Sequence, residues 1–262
     1  MTEKSSHIIK TSNLTIGYHH KKENICVVDN INIQISKGSF VCILGKNGIG
    51  KSTLLRTLSK VQEKLSGEII LDGEPLESIS TATLAKKMSL VLTENIPESN
   101  LTVYELIALG RQPYTNWIGK LGPKDYKQID LAIQQTHIED LIDKKHDELS
   151  DGQLQKVMIA RALSQDTEII TLDEPTVHLD LHNTIETFTL LKKLSRDFNK
   201  TILISTHEIH LALQLADELW LLNEDGIITG KTEELLKNGS VAKLFDSDLM
   251  RFDAKLRQFV PL

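Results

Sequence analysis

The sequence predicts an α/β fold: a mixed, largely parallel sheet carrying a phosphate-binding loop, with an antiparallel β part near the start and an inserted helical part in the middle. Three observations predict it. A glycine-rich loop, GKNGIGKST, stands between a short apolar strand and an apolar-faced helical run. Two further apolar strands flank a helical run, the βαβ arrangement that builds a parallel sheet. Between these landmarks the periodicity shifts from alternation to helical spacing.

Taken in order, residues 8–35 alternate apolar and polar (IIKTSNLTIGY, then VVDNINIQI), as antiparallel strands with one wet face do. SFVCIL (39–44) is a short buried strand. TLLRTLSKV (53–61) puts Leu54, Leu55, Leu58 and Val61 on one helical face. GEIILDG (67–73) is a strand running into a turn, and MSLVL (88–92) is another. From about 100 to 165 the pattern is mostly helical, in LTVYELIALGRQ, KDYKQIDLAIQQTHIEDLI and SDGQLQKVMIARALSQ. Strands return at EIITLDE (168–174) and TILISTH (201–207), separated by the helical NTIETFTLLKKLSRD. The tail alternates short strands and helices, and MRFDAKLRQFVPL predicts a small hairpin over the sheet edge. One domain is expected over 1–262: a core at about 1–94 and 165–225, a helical part at about 95–164, and an extension at about 226–262.

Bulk numbers narrow the classes. In 262 residues, 40% hydrophobic and 25% charged residues fit an ordinary folded chain with a sizeable core. A net charge of −6 argues against a general nucleic-acid binder. No apolar stretch approaches the roughly 20 residues of a membrane span, and MTEKSSHIIK has no signal-peptide core. The chain is therefore expected to be soluble, any membrane role coming through another protein. Cys26 and Cys42 have neither metal nor redox spacing, and Cys42 reads as a small core residue.

Gly45, Lys46, Asn47, Gly48, Ile49, Gly50, Lys51, Ser52 and Thr53 match G-x-x-x-x-G-K-[ST] in the strand–helix context that gives the pattern its meaning. Glycines let successive N–H groups turn inward toward phosphate oxygens; Lys51 adds a point charge, and Ser52 offers a hydroxyl to Mg²⁺. EIITLDE supplies matching acids at a strand's C-terminal end, where parallel sheets bind ligands. Asp173 suits Mg²⁺ and Glu174 suits an attacking water. TILISTH ends at His207 in the same position on another strand, placing its imidazole toward the same edge, where it can hydrogen-bond the γ-phosphate or hold the water.

A second anion seat follows at ELSDGQ (148–153). Ser150 caps a helix, Gly152 bares backbone, and LQKVMIARAL continues the helix.

Together, Tyr18, GKNGIGKST, LSDGQ, IITLDEP, HLD (178–180) and STH resemble the ATP-binding cassette (ABC) ATPase family, in the family's order and over roughly 8–225. The resemblance implies a P-loop NTPase core with an antiparallel β subdomain and an inserted α-helical subdomain. It implies ATP hydrolysis with Mg²⁺ by two cassettes packed head to tail. Ser150, Gly152 and Gln153 of one copy would then serve the nucleotide held by Gly45–Thr53 of the other. By the same resemblance Tyr18 stacks on adenine and Asp180 bridges the copies. Two positions depart from the pattern. Asp151 replaces a usual glycine and is expected to turn outward. After MSLVL, Glu94 stands where glutamine is usual; it can ligate Mg²⁺ and act at the catalytic centre, but adds negative charge near the γ-phosphate, and the neighbouring Asn95 offers a shorter amide.

Residues 101–117, LTVYELIALGRQPYTNW, resemble a segment of ATPases that serve iron-siderophore, haem and cobalamin importers. The helix packs Val103, Leu106, Ile107 and Leu109 inward; exposed Tyr114 and Trp117 help dock a permease. That resemblance implies an energy-coupling ATPase at the cytoplasmic face of the cell membrane, held there by an integral-membrane permease. It implies pairing with a second cassette, most simply an identical copy, and indirect service to a periplasmic or lipid-anchored substrate-binding protein. The alternatives are a soluble cassette of the iron–sulfur assembly kind and an exporter's ATPase.

Overall fold

The computed structural model describes residues 7–21, 23–92, 99–245, 250–253 and 256–262. The first half holds β1 (His7–Tyr18), β2 (Ile25–Ile31), β3 (Gln34–Ser36), β4 (Phe40–Gly45), α1 (Lys51–Leu58), β5 (Ser66–Leu71), β6 (Glu74–Pro75), α2 (Thr81–Leu84) and β7 (Met88–Val91). The helical stretch holds α3 (Val103–Ala108), α4 (Pro123–Thr136) and α5 (Asp151–Ser164). Then come β8 (Ile169–Asp173), α6 (Leu181–Phe198), β9 (Thr201–Ser205), α7 (Ile209–Leu215), β10 (Glu218–Asn223) and β11 (Gly226–Lys231). The tail holds α8 (Thr232–Lys237), α9 (Ser240–Phe245), β12 (Met250–Asp253) and β13 (Gln258–Pro261).

The central sheet runs β11-β10-β4-β9-β8-β7; β10 to β7 are parallel and β11 closes one edge antiparallel. β1 is the hub of the second sheet, pairing antiparallel with β2, β3 and β5. The alternation read in 8–35 is thus two short strands, β2 and β3, sharing one long partner. β12 and β13 form the expected closing hairpin, tied to α8 through Arg257 and Glu233, 2.8 Å apart.

Parallel strands are buried on both faces, and their alternation sorts the core into two. Phe40, Cys42, Leu44, Ile170, Leu172, Ile202 and Ile204 face one way, toward Phe188 and Leu191 of α6 and the helical part. Val41, Ile43, Ile169, Leu203, Trp220 and Leu222 face the other, toward Leu54, Leu55 and Leu58 of α1 and the β1 sheet. Burial pushes the Cys42 thiol far up, as a core role requires.

Two expected core positions are outside. Val61 is 59% exposed, because α1 stops at Leu58 and Lys60 takes a left-handed φ of 58°. Leu109 is 41% exposed: a 3-10 stretch, Leu109–Tyr114, follows α3 and changes the residues-per-turn on which the inward face was counted.

Candidate functional site

β4, β9 and β8 lie side by side and parallel, so their C-terminal ends bring Gly45, Ser205 and Asp173 to one edge of the sheet. The loop after β4 turns back into α1. Gly48 and Gly50 take φ of 74° and 115°, a region L side chains avoid, and a Cβ on Gly50 would sit 2.6 Å from Val27 Cγ1. Gly50 is the N-cap of α1 and supplies no side-chain acceptor. The first amides of the helix and the positive end of its dipole therefore face the loop uncapped by a side chain. A Cβ on Gly48 would meet nothing within 4 Å, so open space lies before the loop. Lys46 and Asn47 are exposed at its tip and Ile49 is half-buried.

Lys51 is buried, its Nζ donating to the carbonyls of Gly45 (3.1 Å) and Lys46 (3.2 Å). Burial holds the ammonium below the usual lysine value, while Glu174 and Asp173 pull it back up. Nζ is 3.6 Å from Glu174 Oε1 and 3.4 Å from His207 Nε2. His207 Nε2 is 2.6 Å from the same Glu174 oxygen.

Asp173 is held from two sides: Ser52 Oγ donates to Oδ1 at 2.8 Å and Ser205 Oγ donates to the same atom at 2.7 Å. Ser205 also fixes the neighbouring acid. Glu174 N donates to its Oγ (2.9 Å) and its carbonyl (3.1 Å). Glu174 needs such support, since its φ of 47° is left-handed for a residue with a Cβ, costing about 1–2 kcal/mol. Tyr18, at the end of β1, is 49% exposed, with its hydroxyl 3.0 Å from Thr53 Oγ1. Its ring is thereby moored beside the phosphate loop.

The residues fit a magnesium–triphosphate. Ser52 and Asp173 put a hydroxyl and a carboxylate, hard oxygen donors, within 2.8 Å of each other. Among the described residues no group of three or more His, Cys, Asp or Glu gathers to cage a metal. That sparse donor set suits Mg²⁺, which takes one or two protein oxygens and fills the rest with phosphates and water.

The other predicted residues sit on separate elements. Ser150 caps α5: its Oγ accepts from Gln153 N (3.3 Å) while Ser150 N donates to Gln153 Oε1 (3.1 Å), a reciprocal capping box. Ser150 and Asp151 are both exposed. Gly152, expected to bare its backbone, is instead buried, lying under the side chain of Asn183. Asp180 caps α6, accepting from Asn183 N at 2.8 Å. Glu94 and Asn95 lie outside the described residues.

Three residues escaped the sequence reading. Ser205 left a signal, a polar side chain closing an apolar run in TILIS. Asn183 left none. Arg111 is buried: Nε donates to Asp125 Oδ1 (2.8 Å) and Nη1 to the Ser164 carbonyl (2.7 Å). Its guanidinium lies 3.9 Å from the Tyr114 ring centroid and covers one ring face, while Tyr114 stays 37% exposed, as expected. Trp117, by contrast, is 94% exposed.

The family model described as ABC transporter matches residues 28–177. An uncharacterized ABC transporter ATP-binding protein of Methanocaldococcus jannaschii is 40% identical over 240 residues, 91% of this chain and 81% of that one. The achromobactin transport ATP-binding protein of Dickeya dadantii is 36% identical over 241 residues, 92% and 88% of the two chains. Among solved structures, a metal-chelate type ABC transporter in an inward-facing conformation superposes with a TM-score of 0.79 at 27% identity, covering 98% of each chain. A dimeric ATP-binding cassette in a post-hydrolysis state, bound to ADP and Pi, gives 0.73 at 28% identity, covering 86% of this chain and 98% of that one.

Proposed function

Since this chain belongs to the ABC transporter family as one of its ATP-hydrolysing subunits, we propose that it powers import of a metal chelate of the iron-siderophore, haem or cobalamin class through a separate permease. The likeness to the achromobactin subunit, over nearly the whole of both chains, carries this reading. No helix among the described residues is long and apolar enough to cross a membrane. A separate permease supplies the passage and holds the chain at the cytoplasmic face. A periplasmic or lipid-anchored binding protein delivers the cargo to that permease. Trp117, bare on the helical part, is a contact for it.

The working unit is two identical copies, each lending Ser150, Gly152, Gln153 and Asp180 to the nucleotide seated on the other's Gly45–Thr53. The helix dipole and capped amides at Ser150 suit a γ-phosphate. Tyr18 stacks on adenine. Lys51 leaves its carbonyl partners for the phosphates, which also frees Glu174 from a nearby cation. Ser52 and Asp173 hold Mg²⁺, which when bound offsets phosphate charge. Glu174 orients and polarises the attacking water, and His207 keeps that carboxylate aimed; their 2.6 Å contact supports the pairing. For Glu94, the resemblance alone supports a role as a further oxygen ligand and as the sensor of the permease.

The test is affinity capture of the full chain from native membranes, with uptake of radiolabelled ferric chelate in cells lacking it. Capture of an integral-membrane permease, with uptake restored by the wild type and not by Glu174→Gln, is expected. Capture of soluble partners alone and unchanged uptake would reassign the chain to a cassette that moves nothing.

A further inference from the structure

Gly152 lies in the first turn of α5 and Asn183 in the first turn of α6, and the two are in contact. A Cβ built on Gly152 would stand 2.6 Å from Asn183 Cγ, 2.7 Å from Oδ1 and 2.9 Å from Nδ2. All three amide atoms fall inside the distance that real Cβ atoms keep, so the amide lies across the glycine. It is tethered there: Nδ2 donates to Asp180 Oδ2 at 2.9 Å, while Asn183 N donates to Asp180 Oδ1 at 2.8 Å. One turn on, Lys156 Nζ of α5 meets Glu186 Oε1 of α6 at 2.7 Å. Beside that ion pair the helices part around a cavity of about 470 Å³, lined by Lys156, His182, Ile185 and Glu186 among others. The two helix starts are thus joined by a short ladder: one close-packed rung at Gly152 and one part-buried ionic rung.

Of the two, the packed rung is the stronger constraint. Partly exposed ion pairs are worth about 0–1 kcal/mol, whereas overpacking a filled space costs about 1–3 kcal/mol.

We propose that Asn183 is a positioning residue: it occupies the space left by Gly152 and locks Asp180 to the capped start of α5, so that both stretches meet a second copy in one register. The proposal rests on the two-copy reading above. It gives Gly152 a task within its own chain, separate from any close approach to a phosphate.

The experiment uses the full chain in a Glu174→Gln background and reads ATP-driven dimerisation by light scattering. Monomer binding of a fluorescent ATP analogue and the thermal midpoint are measured alongside. Gly152→Ala and Asn183→Ala should each weaken dimerisation at least about tenfold. Once Asn183 is alanine, adding Gly152→Ala should cost several-fold less than it does beside an intact Asn183, since the clash has gone, and what loss remains belongs to the approach of Gly152 to the partner's nucleotide; contacting residues couple in this way. Asn183→Asp keeps the size of the side chain but removes the donor to Asp180. It should lose dimerisation while nucleotide binding and thermal midpoint stay put, which a merely structural role does not predict. Equal penalties for Gly152→Ala with and without Asn183, or wild-type dimerisation by Asn183→Asp, overturn the proposal alone. If the Glu174→Gln chain itself stays monomeric with ATP, the two-copy reading fails and this proposal with it.

Discussion

His207 Nε2 and Glu174 Oε1 share a hydrogen bond of 2.6 Å, and Lys51 Nζ stands 3.6 Å from the same oxygen. With a carboxylate as acceptor, the imidazole carries the proton on Nε2. The acid is thus paired with a cation, the one proposed above to move to the triphosphate. Glu174→Gln should keep ATP binding and lose at least about 100-fold in turnover, roughly 2.7 kcal/mol of barrier. A fall of only twofold in steady-state phosphate release would remove Glu174 from the role of base.

His207 acts through Glu174 in this scheme. His207→Ala should therefore lower kcat by about 10²-fold or more, the lower end for a lost acid–base group, with the KM for ATP nearly unchanged. In the Glu174→Gln background the same substitution should add little, because its partner's charge is already gone. Fully multiplicative losses in the double variant would show that His207 works on its own account.

Shared sites can be tested by mixing. A chain damaged by Lys51→Ala and one damaged by Ser150→Ala should each be inactive alone. Mixed, they form pairs in which one site has both residues intact, so ATPase activity should return in proportion to mixed pairs. A mixture that stays inactive, with intact monomer hydrolysing at full rate at high dilution, would rule out the composite site.

The buried Arg111–Asp125 pair makes a stability prediction independent of nucleotide. Breaking one partner of such a pair costs about 3–5 kcal/mol, so Arg111→Ala or Asp125→Ala should shift urea unfolding to markedly lower concentration. The Gly122 backbone N–H first, and Arg111 with it, hold the Asp125 carboxyl below its ordinary value of 3.8. The native state therefore favours the ionised form. Its contribution is complete above the unfolded pKa and fades as pH falls toward the depressed native one. Wild type and Asp125→Ala should accordingly converge in stability as pH is lowered below about 4. A gap that is constant with pH would assign the loss to packing.

Motifs closed by neighbouring residues could be read before folding. The loop 45–53 needs glycines where φ is positive, and the cap at Ser150 needs an acceptor three residues before Gln153 N; both are written within a few positions. Four of the parallel strands, β4, β7, β8 and β9, were equally plain, since burial on two faces demands uninterrupted apolar runs; β10 was not read. Where the reading slipped, at Val61 and Leu109, a helical period was carried past a left-handed residue and into a 3-10 turn.

By itself, then, the sequence determined the fold class, the phosphate loop, the acids at Asp173 and Glu174 and the capped helix at Ser150. Each depends on local spacing and on the period of burial. Only the tertiary structure decided that Ser205 would stand under both acids, that Asn183 would fill the space at Gly152, and that Arg111 would be neutralised by Asp125. Those contacts follow from strand register and helix docking: β9 beside β8, α6 against α5, the 3-10 turn against α4. No short-range pattern encodes them, because the free energy that sets them is the packing of whole elements rather than the preference of any one stretch of chain.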